Sequence, residues 1–514
     1  MPIILWVDDE IDRLKAHQLF LAEKGYEIDT CNNGMDAYDL VKDRPYDAVF
    51  LDENMPGWTG LETLEKMKEL RPALPVVMVT KSEEEAIMEM AIGNKIADYL
   101  VKPVNPHQLL LCLKKILQTS ELVSKQTTQG YQKQFGRLTM EMQGLRSWDE
   151  WVEFYRKLLS WELKLQDSAD EGLQSVLATQ KQEANELFSK FIASHYEAWF
   201  IQGDGPLMSH QWVHEVVAPL LENGEKVFML VMDNLRFDQW LELKASLSPL
   251  FRTEREELYA SILPSATQYA RNALFAGMMP ADIKRHFPDY WKEEGDEGSK
   301  NQFEGALLQA QLDRLGLGAK RMDYHKVTNV SGAKKYLDHL HQRKNMDLVA
   351  LVYNFVDMLS HAKTDTEVIR ELAADDAAYR KITKTWFENS ALLKVLQWAA
   401  KEGFKVVLTT DHGTINVGRP SKVVGKRHMT TNLRFKSGQG MTYQAKHSMV
   451  IAKPSHVGLP TQHIAEEYIF ALSDFFYAYP NNYNHYVSYY RNTYQHGGVS
   501  LEELMIPYVV LQAK

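Results

Sequence analysis

Between residues 107 and 205 the chain contains no proline, and glycine is sparse. Proline is the strongest single interruption of a helix, so this stretch can form helices of any length. Apolar residues recur in it at helical spacing, as in Trp148, Trp151, Val152, Tyr155, Leu158 and Leu159, which predicts several long helices in a bundle over 119–205. The two flanks have another rhythm. Residues 1–118 alternate short apolar runs (IILWV, YEIDTC, DAVFLD, PVVMVT, IADYLV) with amphipathic stretches ending near Lys24, Lys42, Leu70 and Ile92, and with a last one opening at Pro106. Five strands alternating with five helices predict a doubly wound parallel sheet. From 206 to 514 strands are predicted at VFMLVM (227–232), LVALVY (348–353), VVLTT (406–410), HSMVIA (447–452) and MIPYVVL (505–511), giving a second, larger α/β domain.

Charge and cysteine usage narrow the function. The whole chain carries 58 basic and 68 acidic side chains, and 13 of the former against 21 of the latter fall in residues 1–118. An acidic first unit ahead of a nearly neutral remainder is the opposite of a duplex-DNA binder's basic face. Cys31 and Cys112 are the only cysteines, so no disulfide framework is expected and a reducing cytoplasm suits the chain. Asp8 and Asp9 interrupt the first apolar run where a signal peptide needs an uncharged one. The longest good apolar segment, Leu348–Val356, falls far short of the roughly 20 residues that span a bilayer. A soluble, cytoplasmic protein without a membrane partner is expected.

In a doubly wound sheet, ligands collect at the carboxyl ends of the strands. There the sequence places Asp8 and Asp9 after the first strand, Asp52 after the third, Thr80 after the fourth and Lys102 after the fifth. Each alone reads as a cap or a surface charge. Together, three converging carboxylates call for a hard divalent cation such as Mg2+, with Lys102 as a mobile positive charge, Asp52 as nucleophile toward a phosphoryl donor and Thr80 as its hydrogen-bond partner. These residues, with the segments LWVDDE, FLDENMPGWTGLE, MVTK and DYLVKPV, resemble the receiver domain of two-component response regulators. The resemblance implies phosphorylation at Asp52 by a sensor histidine kinase and Mg2+ held by Asp8, Asp9 and Asp52. It also implies a switch through Thr80, Tyr99 and Lys102, and a homodimer formed on phosphorylation through the face at residues 82–118.

The third segment delivers metal-ligand residue types at strand ends: Asp233 after VFMLVM, Asp411 and His412 after VVLTT, and Asp357 and His361 after LVALVY. Asp357 and His361 are four apart and share a face if that segment is helical. His496 opens HGGVSLEELMIP, where Gly497 and Gly498 allow a tight turn and Ser500 with Glu503 suggests a capping box. Ser265 and Thr267 stand at the start of a helical run, where N–H groups favour a phosphate or an alkoxide. Singly, each of these residues could equally be a satisfied structural polar group.

In chain order, Asp233, Thr267, Asp357, His361, Asp411, His412 and His496 resemble the metal-and-nucleophile signature of the alkaline phosphatase superfamily. VMDNLR, LPSATQYARNAL and HGGVSLEELMIP are similar to its PglZ branch, and the order of the three segments is similar to PorX-like response regulators of type IX secretion. The resemblance implies two metal ions about 4 Å apart, one on Asp357, His361 and His496, the other on Asp233, Asp411, His412 and the Thr267 oxygen. The donor set favours zinc, with manganese left open. Thr267 as nucleophile points to a phosphodiesterase of nucleotide or oligonucleotide diesters, with Arg236 and Arg271 as candidates for the phosphoryl oxygens. The alternative reading is a regulator whose metals are structural and whose output is binding to a sigma factor or secretion component. A DNA-binding output lacks both motif and charge.

Overall fold

The computed structural model describes residues 2–72, 74–81, 96–166, 171–293, 296–425, 429–463 and 465–514, with backbone alone for 118–129, 132 and 171. The chain divides into two compact units, Met1–Lys133 and Gln134–Lys514.

The first unit is a parallel sheet of β1 (Ile3–Val7), β2 (Glu27–Cys31), β3 (Ala48–Leu51), β4 (Val76–Thr80) and β5 (Asp98–Val101), in the order β2-β1-β3-β4-β5. Helices α1 (Lys15–Glu23), α2 (Gly34–Asp43) and α3 (Gly60–Leu70) connect the strands, and α4 opens at Pro106. Alternate side chains leave opposite faces of a strand, so each strand feeds two cores. Trp6, Phe50, Val77 and Val79 pack with Leu109 and Leu113 of α4 on one face. Leu5, Val7, Val49 and Leu51 pack with Val41, Leu64 and Met67 on the other. The expected fourth helix, ending near Ile92, and most of the expected dimer face lie outside the described residues. Helix α4 does not stop near 118 but continues to Gly144.

The helical middle is present as α4, α5 (Trp148–Leu165) and α6 (Glu171–Gln202). A capping box starts α5, with Ser147 and Glu150 exchanging side-chain and backbone bonds. The apolar faces of α5 and α6 meet through aromatic rings, Trp151 on Phe188 at 5.4 Å and Trp148 on Trp199 at 6.0 Å. Residues from 134 onward, α5 and α6 among them, pack in the second unit with the α/β domain.

That domain is built on six strands: β6 (Val227–Met232), β7 (Phe251–Ala260), β8 (Met322–Val327), β9 (Leu348–Tyr353), β10 (Lys405–Thr409) and β11 (Met505–Ala513). Their order is β7-β11-β10-β6-β9-β8, parallel across β10-β6-β9-β8, with β11 antiparallel to both of its neighbours. The fold is α/β, as expected, with two differences. The expected strand at 447–452 exists as Ser448–Ile451 but belongs to a separate three-stranded sheet, paired to Glu467–Ala471. Two strands of the main sheet were not expected, β7 (FRTEREELYA) and β8 (MDYHKV), nor were the short strands of the smaller sheets beside Ser448–Ile451. β7 and β8 are the two edges of the main sheet, where one flank needs no partner and the apolar signal is dilute.

Candidate metal centre

In the first unit the strand ends bring Asp8, Asp9 and Asp52 together, with ligand atoms within 4.8 Å of one another. Lys102 reaches both buried members, at 2.6 Å from Asp8 Oδ2 and 2.6 Å from Asp52 Oδ2. Burial, partly offset by Lys102, raises the Asp8 carboxyl above the usual range. Burial alone would lower the Lys102 ammonium, but its bonds to Asp52 and Asp8 outweigh that and raise it. Thr80 is fully buried at the end of β4, and Tyr99 sits on β5, half-buried. Gly60, the first residue of α3, passes so close that a Cβ would lie 2.4 Å from the Asp52 carbonyl, so only glycine lets the helix start beside the acid.

In the second unit two further triads form, again with ligand atoms within 4.8 Å in each: Asp357, His361 and His496, and Asp233, Asp411 and His412. The main sheet supplies the second triad, because Asp233 follows β6 and Asp411 and His412 follow β10, the strand beside it. The first triad comes from α8 (Phe355–Asp365) and from the loop after Thr493–Gln495. Asp357 and His361 lie one turn apart on α8 with Oδ1 and Nε2 at 3.5 Å, as their spacing predicts. The triads adjoin: the His412 and His496 rings stack with centroids 4.2 Å apart. Thr267, first residue of α7 (Thr267–Ala276), has its Oγ1 3.0 Å from His412 Nε2.

The chemistry of these groups fits divalent cations. Asp233 Oδ1, Asp357 Oδ1 and Asp411 Oδ2 are buried and accept no hydrogen bond among the described residues, a state that is costly without a cation. Burial raises the carboxyls of Asp233 and Asp411, and burial together with Asp233 and Asp411 raises that of Asp357. Burial also lowers both imidazoles, His412 to about 4, and His496 further by the adjacent His412 and His361. Neutral imidazole is the ligating form. His496 Nδ1 faces the Ser265 carbonyl at 3.3 Å and His412 Nδ1 the Gly413 carbonyl at 3.1 Å, an arrangement in which each Nε2 is the atom that could take a metal.

Three expectations need correction. Arg236 does not face the triads: it is buried, bonded to Asp238 through Nε at 2.8 Å and to Asp376 through Nη1 at 2.8 Å, so its guanidinium is fully engaged in an internal network. Arg271 does reach the site, but against its carboxylates rather than toward a substrate, with Nη1 2.6 Å from Asp233 Oδ2 and Nε 2.6 Å from Glu304 Oε1. The Ser500–Glu503 capping box is only half made. Ser500 caps the Glu503 N–H at 3.2 Å, while the Glu503 carboxylate turns to Arg434 at 2.6 Å and to Gly498 N at 2.9 Å.

Ser265, the rival nucleophile, is also committed elsewhere. Its hydroxyl donates to the Gly498 carbonyl at 2.9 Å and accepts the Gly497 N–H at 3.2 Å, tying the start of α7 to the His496 loop. Other contributors escaped the sequence reading. A cleft of about 370 Å³ opens beside Thr267 and His496, lined by Gln268, Lys300, Asn301, Asn432 and Phe435. The Asn301 amide donates to the Thr267 carbonyl at 2.9 Å and so holds the first turn of α7. No periodicity marks these loop residues in the sequence.

Family comparison matches three segments of the chain. A BREX system PglZ alkaline phosphatase-like domain matches residues 212–511, a PorX response regulator linker domain residues 121–200, and a response regulator receiver domain residues 4–114. The transcriptional regulatory protein ZraR of Escherichia coli O157:H7 is 34% identical over 135 residues, which are 26% of this chain and 30% of ZraR. The transcriptional regulatory protein ResD of Bacillus subtilis (strain 168) is 33% identical over 121 residues, 24% of this chain and 50% of ResD. The chain thus spans half or less of these relatives' length. Among solved structures, a CheY-like receiver domain protein from Methanospirillum hungatei JF-1 is 28% identical, covers 24% of this chain and 97% of its own, and has a TM-score of 0.23.

Proposed function

This chain belongs to the PglZ alkaline phosphatase-like family, with a response regulator receiver and a PorX-type linker ahead of that domain, and from that premise we propose that it is a phosphorylation-controlled phosphodiesterase of nucleotide or oligonucleotide diesters. The observation that carries the reading is the placement of the Thr267 hydroxyl 3.0 Å from His412, beside two adjoining ligand triads and at the floor of an open cleft. Asp357, His361 and His496 would hold one divalent cation, and Asp233, Asp411 and His412 the other, zinc being favoured by three imidazoles among carboxylates. Bound there, such ions supply charge that stabilises the phosphoryl oxygens and lowers the pKa of an attacking hydroxyl.

The rest is the work of the chain's own groups. The Thr267 hydroxyl gives up its proton as its oxygen attacks phosphorus, one esterified group leaves and takes up a proton as the alcohol, and water then cleaves the Thr–O–P bond, restoring the hydroxyl and releasing the other group as its phosphate monoester. Asn301 holds the backbone of Thr267, and Arg271, anchored by Glu304, balances the negative charge of Asp233. The 370 Å³ cleft leaves room for both esterified groups of a diester. Control enters at Asp52, phosphorylated by a sensor histidine kinase with Mg2+ on Asp8, Asp9 and Asp52. The PorX-type linker, with the resemblance above, supports an output in type IX secretion. Thr267→Ala should lose activity toward a chromogenic diester by about a thousand-fold or more while metal analysis finds its zinc unchanged. Full activity in Thr267→Ala would refute the assignment.

A further inference from the structure

Helix α6 carries three polar residues at successive turns of one face, Lys181, Asn185 and Ser189, and all three are largely or fully buried. Lys181 Nζ lies 3.0 Å from Glu162 on α5, 3.1 Å from Asp376 and 3.2 Å from Glu502. The Asn185 amide donates to Glu502 Oε2 at 3.0 Å, and its oxygen accepts the Leu501 N–H at 2.7 Å. Ser189 Oγ donates to the Val499 carbonyl at 3.0 Å and accepts the Ser473 N–H at 3.0 Å. Asp376, in turn, accepts the Tyr494 hydroxyl at 2.7 Å.

These contacts bracket His496. Tyr494 lies two residues before it, Val499 three after, and Leu501 and Glu502 follow. Apolar side chains would pack a helix onto a domain without desolvating three polar groups, so the stripe is not explained by adhesion. Bonds to the backbone at Val499 and Leu501 instead fix the depth and register of the loop from the side of α6, while the Leu472–Val499 bridge and the Ser265 bonds to Gly497 and Gly498 hold its other side.

We propose that Lys181, Asn185 and Ser189 are positioning residues that set the geometry of His496, and through it the metal affinity of the Asp357–His361–His496 triad. The inference rests on reading that triad as a metal site. It makes the linker segment part of the metal centre's supporting shell, so that a shift of α6 along its axis displaces one ligand of three.

The test uses the full chain and zinc alone, titrated in competition with a chromophoric chelator. The expected result is that Asn185→Leu weakens one of two zinc equivalents about tenfold or more, the size typical of losing an outer-shell partner, and leaves the other unchanged. Ser189→Ala should move the same equivalent in the same direction, and it decides the matter if Asn185→Leu does not fold. In the diesterase assay kcat should fall with KM held. Gln180→Leu is the structural control. Gln180 is buried on the same helix but donates to Thr139 Oγ1 at 2.9 Å and the Phe135 carbonyl at 3.2 Å, away from the loop, so its loss should lower the urea midpoint without moving zinc affinity. Folded Asn185→Leu and Ser189→Ala that hold both zincs as the parent does would overturn the proposal, as would an equal loss in Gln180→Leu. A parent chain that binds no zinc would overturn the metal reading itself, which the first measurement separates from the rest.

Discussion

Replacing Glu503 with leucine removes the acceptor for four groups at once. Its carboxylate takes Arg434 Nε at 3.1 Å and Nη2 at 2.6 Å, the Gly498 N–H at 2.9 Å and the Ser500 hydroxyl at 2.7 Å, with both ionic partners fully buried. Breaking a buried pair from one side leaves an uncompensated charge, a loss of about 3–5 kcal/mol. The orphaned Gly498 N–H adds about 1 kcal/mol. Glu503→Leu should therefore lose about 4–6 kcal/mol of stability. The double variant with Arg434→Met replaces the pair by apolar groups and should recover most of the ionic part, remaining about 1–2 kcal/mol below the parent because Gly498 still lacks an acceptor. Urea unfolding followed by tryptophan fluorescence, in chelator so that bound metal does not contribute, measures the cycle. A loss below about 1 kcal/mol in Glu503→Leu, or a double variant as unstable as the sum of its singles, would refute the reasoning.

Acetyl phosphate with Mg2+ should phosphorylate the chain at Asp52 only, releasing acetate, and Asp52→Asn should abolish it; intact-mass and peptide mapping report both, and modification elsewhere would count against the receiver assignment. His210 is half-buried against Phe200, and desolvation lowers its imidazole to about 4, so an unfolded chain takes up that proton first and stability falls as pH drops from 6.5 toward 4. The shift corresponds to roughly 3 kcal/mol, and His210→Leu should flatten the parent's midpoint-versus-pH curve by that amount over the same window. Zinc should raise the melting temperature and excess chelator reverse it, since a ligand held a thousand-fold above its Kd adds about 4 kcal/mol; His496→Ala should show a clearly smaller rise.

What could be read from the sequence follows from where each residue sits. The strands β6, β9 and β10 lie inside the main sheet, and their continuous apolar runs stand out. The charged FRTEREELYA and MDYHKV occupy its edges, and nothing in their composition separates them from loops. The six triad residues and Thr267 were legible because most of them follow a strand or open a helix, positions where a carboxylate or imidazole is conspicuous, and because Asp357 and His361 stand one helical turn apart soon after β9. Arg236 misled because nearness to Asp233 in sequence is not nearness in space: Asn234, at φ 66°, turns the chain so that Arg236 precedes the helix Phe237–Leu247 and points to Asp238. Asn301, Lys300 and Asn432 come from loops without a repeating pattern. The stripe on α6 looks in sequence like an ordinary solvated face, since polarity alone does not say whether water or protein answers it.

The main sheet is assembled out of chain order. Its last strand in sequence, β11, is inserted between β10 and β7, and among the described residues β11 is the one strand β7 pairs with, apart from a single bridge from Met208 to Ala260. A chain emerging from the ribosome can dock β6, β9 and β10 while β7 waits for a partner more than two hundred residues downstream, separated from it by a closure whose entropy must be met before any pairing is gained. His496 lies just ahead of that same strand. Closure of the sheet and delivery of the last residue of the Asp357–His361–His496 triad are therefore one late event, and a nascent chain with half a sheet presents an open strand edge while that triad is still incomplete.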